Sequence, residues 1–227
     1  MKDEPSKANA VRRFLSAVFN FGIDRQLISI DNNPFAVLAP FEIHPHRWML
    51  TDEQLNRLKE VLWKRIETKP FHAGCCLMAI ETGLSEDQLR TVDWEDCELE
   101  SGFFWLGESE SFLIPLSEDA LRVLNLLLPL VDPDPHPMGA VFLGRRYDEA
   151  LTRLHDFFKD CCAEAGVPTL QFRGLRTTFV FNAGRKDVAF EELGEMLGLK
   201  NKQHLENHYR ALWEQGVSAQ QRTGPKG

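Results

Sequence analysis

Apolar residues recur at helical spacing along most of the chain, starting close to the N-terminus. One face of the first predicted helix carries Val11, Phe14, Leu15, Val18 and Phe19. The pattern breaks at the Asn-Pro pair of residues 33 and 34, which forces an extended or turn backbone. Because one helix and a linker cannot bury a core alone, we expect this segment to be an appendage to a larger domain.

The next two segments predict a capped amphipathic helix and a buried helix. Thr51 and Gln54 have the spacing of a capping box, in which two side chains satisfy free backbone amides at a helix start. The apolar positions that follow are Leu55, Leu58, Val61, Leu62 and Ile66. The segment FHAGCCLMAIETG is almost wholly apolar, so we expect a helix that is buried on all sides.

The period changes between residues 103 and 116. FFWL and FLIPL flank the polar turn GESES, which predicts two strands joined as a hairpin. Helical patterns return over DALRVLNLLLPLV, near residues 147–165, and over FRGLRTTFVFNAG, FEELGEMLG and KQHLENHYRALWEQ. Residues 216–227 show no periodicity and are expected to form a flexible tail. The pattern predicts a mainly helical α+β domain with one small sheet over residues 47–215.

Charge and cysteine content narrow the class of protein. The chain of 227 residues has a net charge of −8 and a pI of about 5.4, which argue against a surface that attracts nucleic acid everywhere. No run resembles a membrane span or a signal peptide, so we expect a cytoplasmic protein. The five cysteines comprise two adjacent pairs, at residues 75–76 and 161–162, and Cys97. Both pairs are expected to be core thiols.

A second capping box begins at residue 85, in the stretch SEDQ. Ser85 and Gln88 have the required spacing, and Glu86 and Asp87 lie between them. Carboxylates in the first turn also complement the positive end of the helix dipole. A cap of this kind stabilises its helix by about 0.5–2 kcal/mol.

Three stretches, taken in order, resemble the catalytic domain of the tyrosine recombinases, the phage integrase family. The stretches are TGL…QLRTVDWEDCELESG with a hairpin ending in IPLSEDALRVL, then FRGLRTTFVFNAG, then LGEMLGLKN…HYRAL. Residues 1–46 resemble the last helix and exit linker of the family's N-terminal core-binding domain. The resemblance implies a helical bundle with a small antiparallel sheet, preceded by one core-binding helix.

The resemblance also implies a chemistry, transesterification on DNA. In the family a tyrosine attacks the scissile phosphate, while arginines, a lysine and histidine-type residues stabilise charge and move protons. By position, Tyr209 corresponds to the nucleophile and Arg176 to the second arginine, and Arg173 replaces a histidine. Arginine binds phosphate but cannot act as a base, so only the electrostatic role is kept at residue 173. No metal or other cofactor is implied.

Other positions depart from the family pattern. Ser85 replaces the first arginine, Gln88 replaces a glutamate, and Leu199 replaces a histidine or tryptophan. Residues 91–121 contain nine acidic residues and no lysine or arginine, so the hairpin lysine is missing too. Removing one preorganised transition-state donor costs about 10²–10³ in rate. We therefore expect strand cleavage to be largely lost.

Basic residues gather away from the hairpin. Besides Arg173 and Arg176, the candidate DNA contacts are Arg145, Arg146, Arg153, Lys200 and Lys202. We expect weak, salt-sensitive DNA binding through them. The sequence leaves open whether Arg173 and Arg176 form an anion site or pair with acids such as Glu191 or Glu192.

His204 and His208 have the i,i+4 spacing of two metal ligands, but no third ligand is evident, and they are interpreted as surface histidines. Three functional hypotheses follow. The first is a catalytically degenerate protein of DNA integration and recombination. The second is an active recombinase that forms a 3′-phosphotyrosyl intermediate through Tyr209. The third is a protein-interaction module that uses the acidic hairpin face to dock a basic partner, for which another recombinase subunit is one candidate.

Overall fold

The structure is a computed structural model that describes residues 5–30, 32–41, 49–107, 112–130, 139–142 and 153–223. The chain divides into two units, Met1–Arg47 and Trp48–Gly227. No helix within the described ranges is long and apolar enough to cross a membrane.

The first unit consists of helix α1, Pro5–Asp24, and the segment that follows it. The Asn9 side chain exchanges two hydrogen bonds of 2.8 Å with the backbone of Phe41, which ties this segment to one side of the helix. Several apolar side chains of α1 are exposed to solvent, namely Val11 (50% exposed), Phe14 (68%), Val18 (48%) and Phe21 (58%). Among the described residues of this unit, no apolar side chain is buried.

The second unit contains the remaining helices and the sheet. Its helices are α2 Asp52–Arg65, α3 Pro70–Thr82, α4 Glu86–Arg90, α5 Glu118–Leu127, α6 Leu154–Glu164, α7 Arg173–Arg185, α8 Phe190–Met196 and α9 Lys202–Thr223. Its strands are β1 Cys97–Glu98, β2 Phe103–Leu106 and β3 Phe112–Pro115, in an antiparallel sheet of that order. The predicted hairpin is confirmed as β2 and β3, and β1 adds a strand that the pattern did not reveal.

Helix α3 lies at the centre of the larger of two apolar clusters. Every residue from Ala73 to Ile80 is buried, which confirms the expectation of a helix buried on all sides. Both cysteine pairs are buried there as free thiols, and burial raises the pKa of Cys161 to about 11. The second cluster joins α7, α8 and α9 through Val180, Leu193, Leu205 and Leu212.

Two boundaries differ from the sequence prediction. Helix α6 begins at Leu154, and the earlier residues 143–152 of the predicted helix lie outside the described ranges. Helix α9 continues to Thr223, so the expected tail from residue 216 is wrong as far as residue 223. The reason is tertiary packing, because Gly216 lets α9 lie directly on α7. A β-carbon at residue 216 would be 2.2 Å from the carbonyl oxygen of Phe181.

Candidate active site

The candidate site begins where α3 ends and the chain turns into α4. Gly83 closes α3 in the left-handed conformation, with φ 69°. A β-carbon at this residue would be 2.5 Å from the ring of Phe179 and 2.8 Å from the side chain of Leu197. Glycine is thus required both by the backbone and by close packing. The turn delivers Ser85 to the start of α4.

The predicted cap at Ser85 is confirmed. The backbone N–H of Gln88 donates to Ser85 Oγ at 3.3 Å, and the backbone N–H of Ser85 donates to the side-chain oxygen Oε1 of Gln88 at 3.0 Å. Helix α4 is only five residues long, so the cap accounts for much of its hydrogen bonding.

Gln88 also reaches beyond its own helix. Its Nε2 donates to the carbonyl oxygens of Leu197 at 2.9 Å and Gly198 at 3.3 Å. Those carbonyls close α8, so one amide side chain ties the start of α4 to the end of α8. Gly198, with φ 58°, makes room for it, because a β-carbon there would be 2.8 Å from Gln88 Nε2.

Arg176 is buried against this amide, with 7% of its surface exposed. Its Nη1 donates to Gln88 Oε1 at 2.8 Å and its Nη2 to the Leu197 carbonyl at 3.0 Å. Its Nε is buried without a hydrogen-bond partner among the residues that the structure describes. Burial lowers the pKa of Arg176, although the guanidinium of an arginine stays charged in proteins.

The partners of Arg176 bear on an alternative that the sequence left open. A pairing of Arg176 with Glu191 or Glu192 is wrong, since both Nη atoms donate to uncharged acceptors. The physical reason is position, because the guanidinium lies in the interior between α4 and the end of α8, whereas both glutamates are exposed. The sequence indicated Gln88 as part of a cap and as a substituted family position, and its contacts with Arg176 and with the end of α8 depend on the fold.

Tyr209 on α9 completes the group. Its ring centroid is 5.6 Å from the guanidinium carbon of Arg176, and the side chain is half-buried against the α7–α9 cluster. The rings of His204 and His208 lie 6.2 Å and 6.4 Å from it and 4.3 Å from each other. The structure therefore connects the positions that the resemblance singles out, in the order Ser85, Gln88, Arg176, Tyr209.

The other predicted site residues are more dispersed. Arg173, Lys200 and Lys202 are exposed, and Leu199 is half-buried against the α7–α9 cluster. Arg153 is exposed and pairs with Asp156, with Nε 3.2 Å from Oδ2. The candidates Arg145 and Arg146 lie outside the described ranges.

The acid at the start of α4 is neutralised within the protein. Glu86 accepts from Arg90 at 2.6 Å, and its other oxygen lies 2.9 Å from His155 Nε2. His155 comes from the start of α6 and was not predicted as a site residue. Among the residues that the structure describes, no three His, Cys, Asp or Glu side chains are grouped as a metal site would require.

Comparison with known proteins identifies the fold. No family model and no curated protein sequence matches the chain. Solved structures do match it. A lambda integrase dimer bound to a COC′ core site superposes with a TM-score of 0.65 at 18% identity, over 88% of this chain and 74% of the integrase.

The Tn1549 transposon integrase in complex with transposon right-end DNA gives a TM-score of 0.62 at 18% identity, over 96% of this chain and 79% of that one. The XerA recombinase gives 0.60 at 16% identity, over 88% and 68%. The chain has the fold of a tyrosine recombinase catalytic domain. The fold predicted from the three sequence stretches is confirmed. Within this fold, Arg176 is hydrogen-bonded to Gln88 and to the Leu197 carbonyl.

Proposed function

We propose that this chain is a tyrosine-recombinase-type protein of DNA integration and recombination that binds DNA but does not cleave it. One observation carries the proposal. Both Nη atoms of Arg176 are hydrogen-bonded to protein acceptors, at 2.8 Å to Gln88 and 3.0 Å to Leu197. These bonds use one N–H group of each Nη atom, and a phosphate could receive those two donors only by displacing Gln88 or the Leu197 carbonyl.

The positions that depart from the family pattern offer no replacement for the missing charge. Phosphoryl transfer concentrates negative charge on oxygens, and preorganised donors there are worth several kcal/mol. Ser85 stands where the resemblance expects an arginine, and its hydroxyl donates to Gln88 Oε1 at 3.0 Å. Leu199 is apolar, and residues 91–121 supply no lysine or arginine. The combined loss leaves little rate enhancement, even when the separate effects are not additive.

DNA binding in this proposal uses exposed cations that lie close to the site residues in sequence. Arg173, Lys200 and Lys202 are exposed, and the candidates at residues 145, 146 and 153 add to them. Phosphate contacts of this kind supply affinity without reading sequence, and their strength falls as salt rises. The acidic residues of the hairpin region oppose binding, so we expect only a weak complex.

A fluorescence anisotropy titration with a labelled 20-base-pair duplex tests this part of the proposal. We expect weak binding at low salt that disappears near physiological salt. Substituting Arg173, Lys200 and Lys202 by Gln lowers the affinity and the salt dependence. The matched control substitutes Arg57, Lys64 and Lys69, three exposed cations on α2 and at the start of α3, and changes binding much less. Tight binding to one defined site at physiological salt contradicts the proposal.

An active recombinase is the second candidate, and one observation favours it. Tyr209 lies beside Arg176, with 5.6 Å between the ring centroid and the guanidinium carbon. A tyrosine nucleophile needs a group that activates its hydroxyl and donors that bind the phosphate. Near Tyr209 the structure shows Arg176, which is already hydrogen-bonded to Gln88 and Leu197. A covalent protein–DNA adduct at Tyr209 distinguishes the two candidates.

A further inference from the structure

The sheet has one buried face and one apolar face that is open. The strand register pairs Phe103 with Pro115 and Trp105 with Leu113, so these four side chains lie on the same face. Phe104 and Ile114 point to the other face and are buried. On the open face Trp105 is 41% exposed and Leu113 is 48% exposed. The rings of Phe103 and Trp105 meet edge to face at 5.9 Å.

One acidic residue lies on this apolar face, and two more are close to it in sequence. Glu98 is paired in register with Phe103, so it lies on the open face, and Glu95 and Glu100 are exposed nearby in sequence. We call Glu98, Phe103, Trp105, Leu113 and Pro115 the hairpin face. It combines an aromatic and aliphatic patch with carboxylates.

The acids of this region differ from other acids of the chain. Glu81 and Glu164 each form an ion pair with a basic residue of α2, and Glu86 pairs with Arg90 within α4. Of the five acids between residues 93 and 100, none forms an ion pair with any residue in the described ranges. Burial, followed by the charge of Asp93, raises the pKa of Asp96. The negative potential of this region is therefore left without compensation by the described part of the fold.

We propose that the hairpin face docks a basic polypeptide segment, with apolar side chains on Trp105 and Leu113 and Lys or Arg side chains at Glu98 and the neighbouring acids. Charge complementarity selects the partner, because carboxylates without ion pairs attract cations and repel phosphate. Trp105 adds a second preference for cations, since the indole face attracts Lys and Arg. The same charges disfavour duplex DNA, an anionic lipid surface and a second copy of this acidic chain as occupants.

The test uses the full chain and a synthetic peptide of alternating Lys, Arg and Leu residues, labelled with fluorescein. Anisotropy is measured against this peptide, against a peptide with Glu replacing every Lys and Arg, and against a labelled duplex. We expect the basic peptide to bind the wild-type chain in a salt-dependent manner. The acidic peptide and the duplex are expected to bind the wild-type chain no better than they bind the variants described next. The combined change Trp105→Ala and Leu113→Ser lowers peptide affinity about tenfold or more.

Matched controls separate the face from the overall charge. Glu98→Gln with Glu100→Gln also lowers peptide affinity about tenfold, whereas Glu60→Gln with Glu67→Gln, two exposed acids near and beyond the end of α2, lowers it much less. Leu126→Ser, at a residue 44% exposed on α5, leaves it unchanged. Because Trp105 and Leu113 are exposed, the single change Leu113→Ser keeps the fold and serves as a second variant.

Four outcomes contradict the proposal. The peptide does not bind the wild-type chain; the substitutions at Trp105 and Leu113 leave binding unchanged in folded protein; or the Glu60 and Glu67 controls weaken binding as much as the Glu98 pair. Preferential binding of the duplex to this face contradicts it as well. None of these outcomes depends on whether Tyr209 is active.

Discussion

At the scale of single residues, one side chain links several parts of the candidate site. Gln88 accepts from the Ser85 amide and from Arg176, and it donates to the carbonyls of Leu197 and Gly198. It thus caps α4, fixes the end of α8 and holds the guanidinium. In the family pattern this residue is a glutamate, which has no amide hydrogens to donate to the carbonyls.

Substitutions of Gln88 and of Arg176 are predicted to have unequal effects on stability. Gln88→Ala leaves the buried Nη1 of Arg176 without its acceptor and removes the side-chain half of the capping box, so we expect a loss of about 2–3 kcal/mol in the free energy of unfolding. Arg176→Met removes a buried charge, while Gln88 Oε1 keeps the Ser85 amide and the Leu197 carbonyl keeps Gln88 Nε2. Its cost is expected to stay within about 1 kcal/mol.

Urea denaturation of both variants measures the difference. The Asp87→Ala variant, at the exposed neighbour of Gln88, is the matched control. If Arg176→Met costs as much as Gln88→Ala, the guanidinium stabilises the fold in its own right, and the role assigned to Gln88 is wrong.

At the scale of elements, the sequence predicted the features that depend on interactions between residues close together in the chain. The two capping boxes and the hairpin follow from short-range hydrogen bonds and strand alternation, and the structure contains all three. The partners of Arg176 could not be predicted, because Gln88 and Leu197 are far from it in sequence. The end of α9 was missed for the same reason, since residue 216 packs on α7 and its pattern alone is polar.

The crossing of α7 and α9 gives a prediction at this scale. A β-carbon at Gly184 would be 2.2 Å from the Trp213 carbonyl oxygen, and one at Gly216 would be 2.2 Å from that of Phe181. Since both contacts are with backbone, Gly216→Ala is expected to cost about 3 kcal/mol or more. Thermal unfolding of this variant measures the cost.

Gly74→Ala in α3 is the control. Its nearest neighbours are the side-chain tips of Leu127 and Val123 at 3.1 Å and 3.2 Å, which can move, and alanine favours the helix. We expect a much smaller change there. Equal costs for the two substitutions would mean that α7 and α9 do not approach as closely as described.

At the scale of the whole molecule, charges are sorted between a stabilising network and an open acidic region. Lys59 on α2 lies 2.7 Å from Glu81 and 2.5 Å from Asp119, and the Ser117 hydroxyl donates to Glu81 at 2.7 Å. This network joins α2, α3 and α5. The acids of residues 93–100 have no such partner among the described residues, and they give the hairpin side its negative charge.

The network predicts a dependence of stability on pH. Burial lowers the pKa of Lys59, but the hydrogen bonds and charges of Asp119 and Glu81 outweigh burial and raise it above its ordinary value. A raised pKa in the folded state means stability that is fully present below the unfolded value and lost as pH rises through the folded one. Lys59→Met is expected to cost about 1–3 kcal/mol at pH 7, and less above about pH 10.5.

Urea denaturation of wild type and Lys59→Met at pH 7 and at pH 11 checks this. Lys64→Met, at an exposed position of the same helix, is the control and is expected to be nearly neutral at both values. A cost for Lys59→Met that does not shrink with rising pH would exclude the ion pairs as its source.

Covalent trapping on DNA tests directly whether Tyr209 cleaves a DNA strand. The substrate is a library of nicked duplexes whose sequence is randomised around the nick. Cleavage would release a short strand that diffuses away, which prevents religation and traps the covalent intermediate. An active tyrosine recombinase treated in the same way is the positive control, and Tyr209→Phe and Tyr147→Phe are the matched variants. Because Arg176 is held by Gln88 and Leu197, we expect no denaturant-stable protein–DNA band from any form of this chain. A band from wild type and Tyr147→Phe that is absent from Tyr209→Phe, with the DNA on Tyr209, would contradict the account.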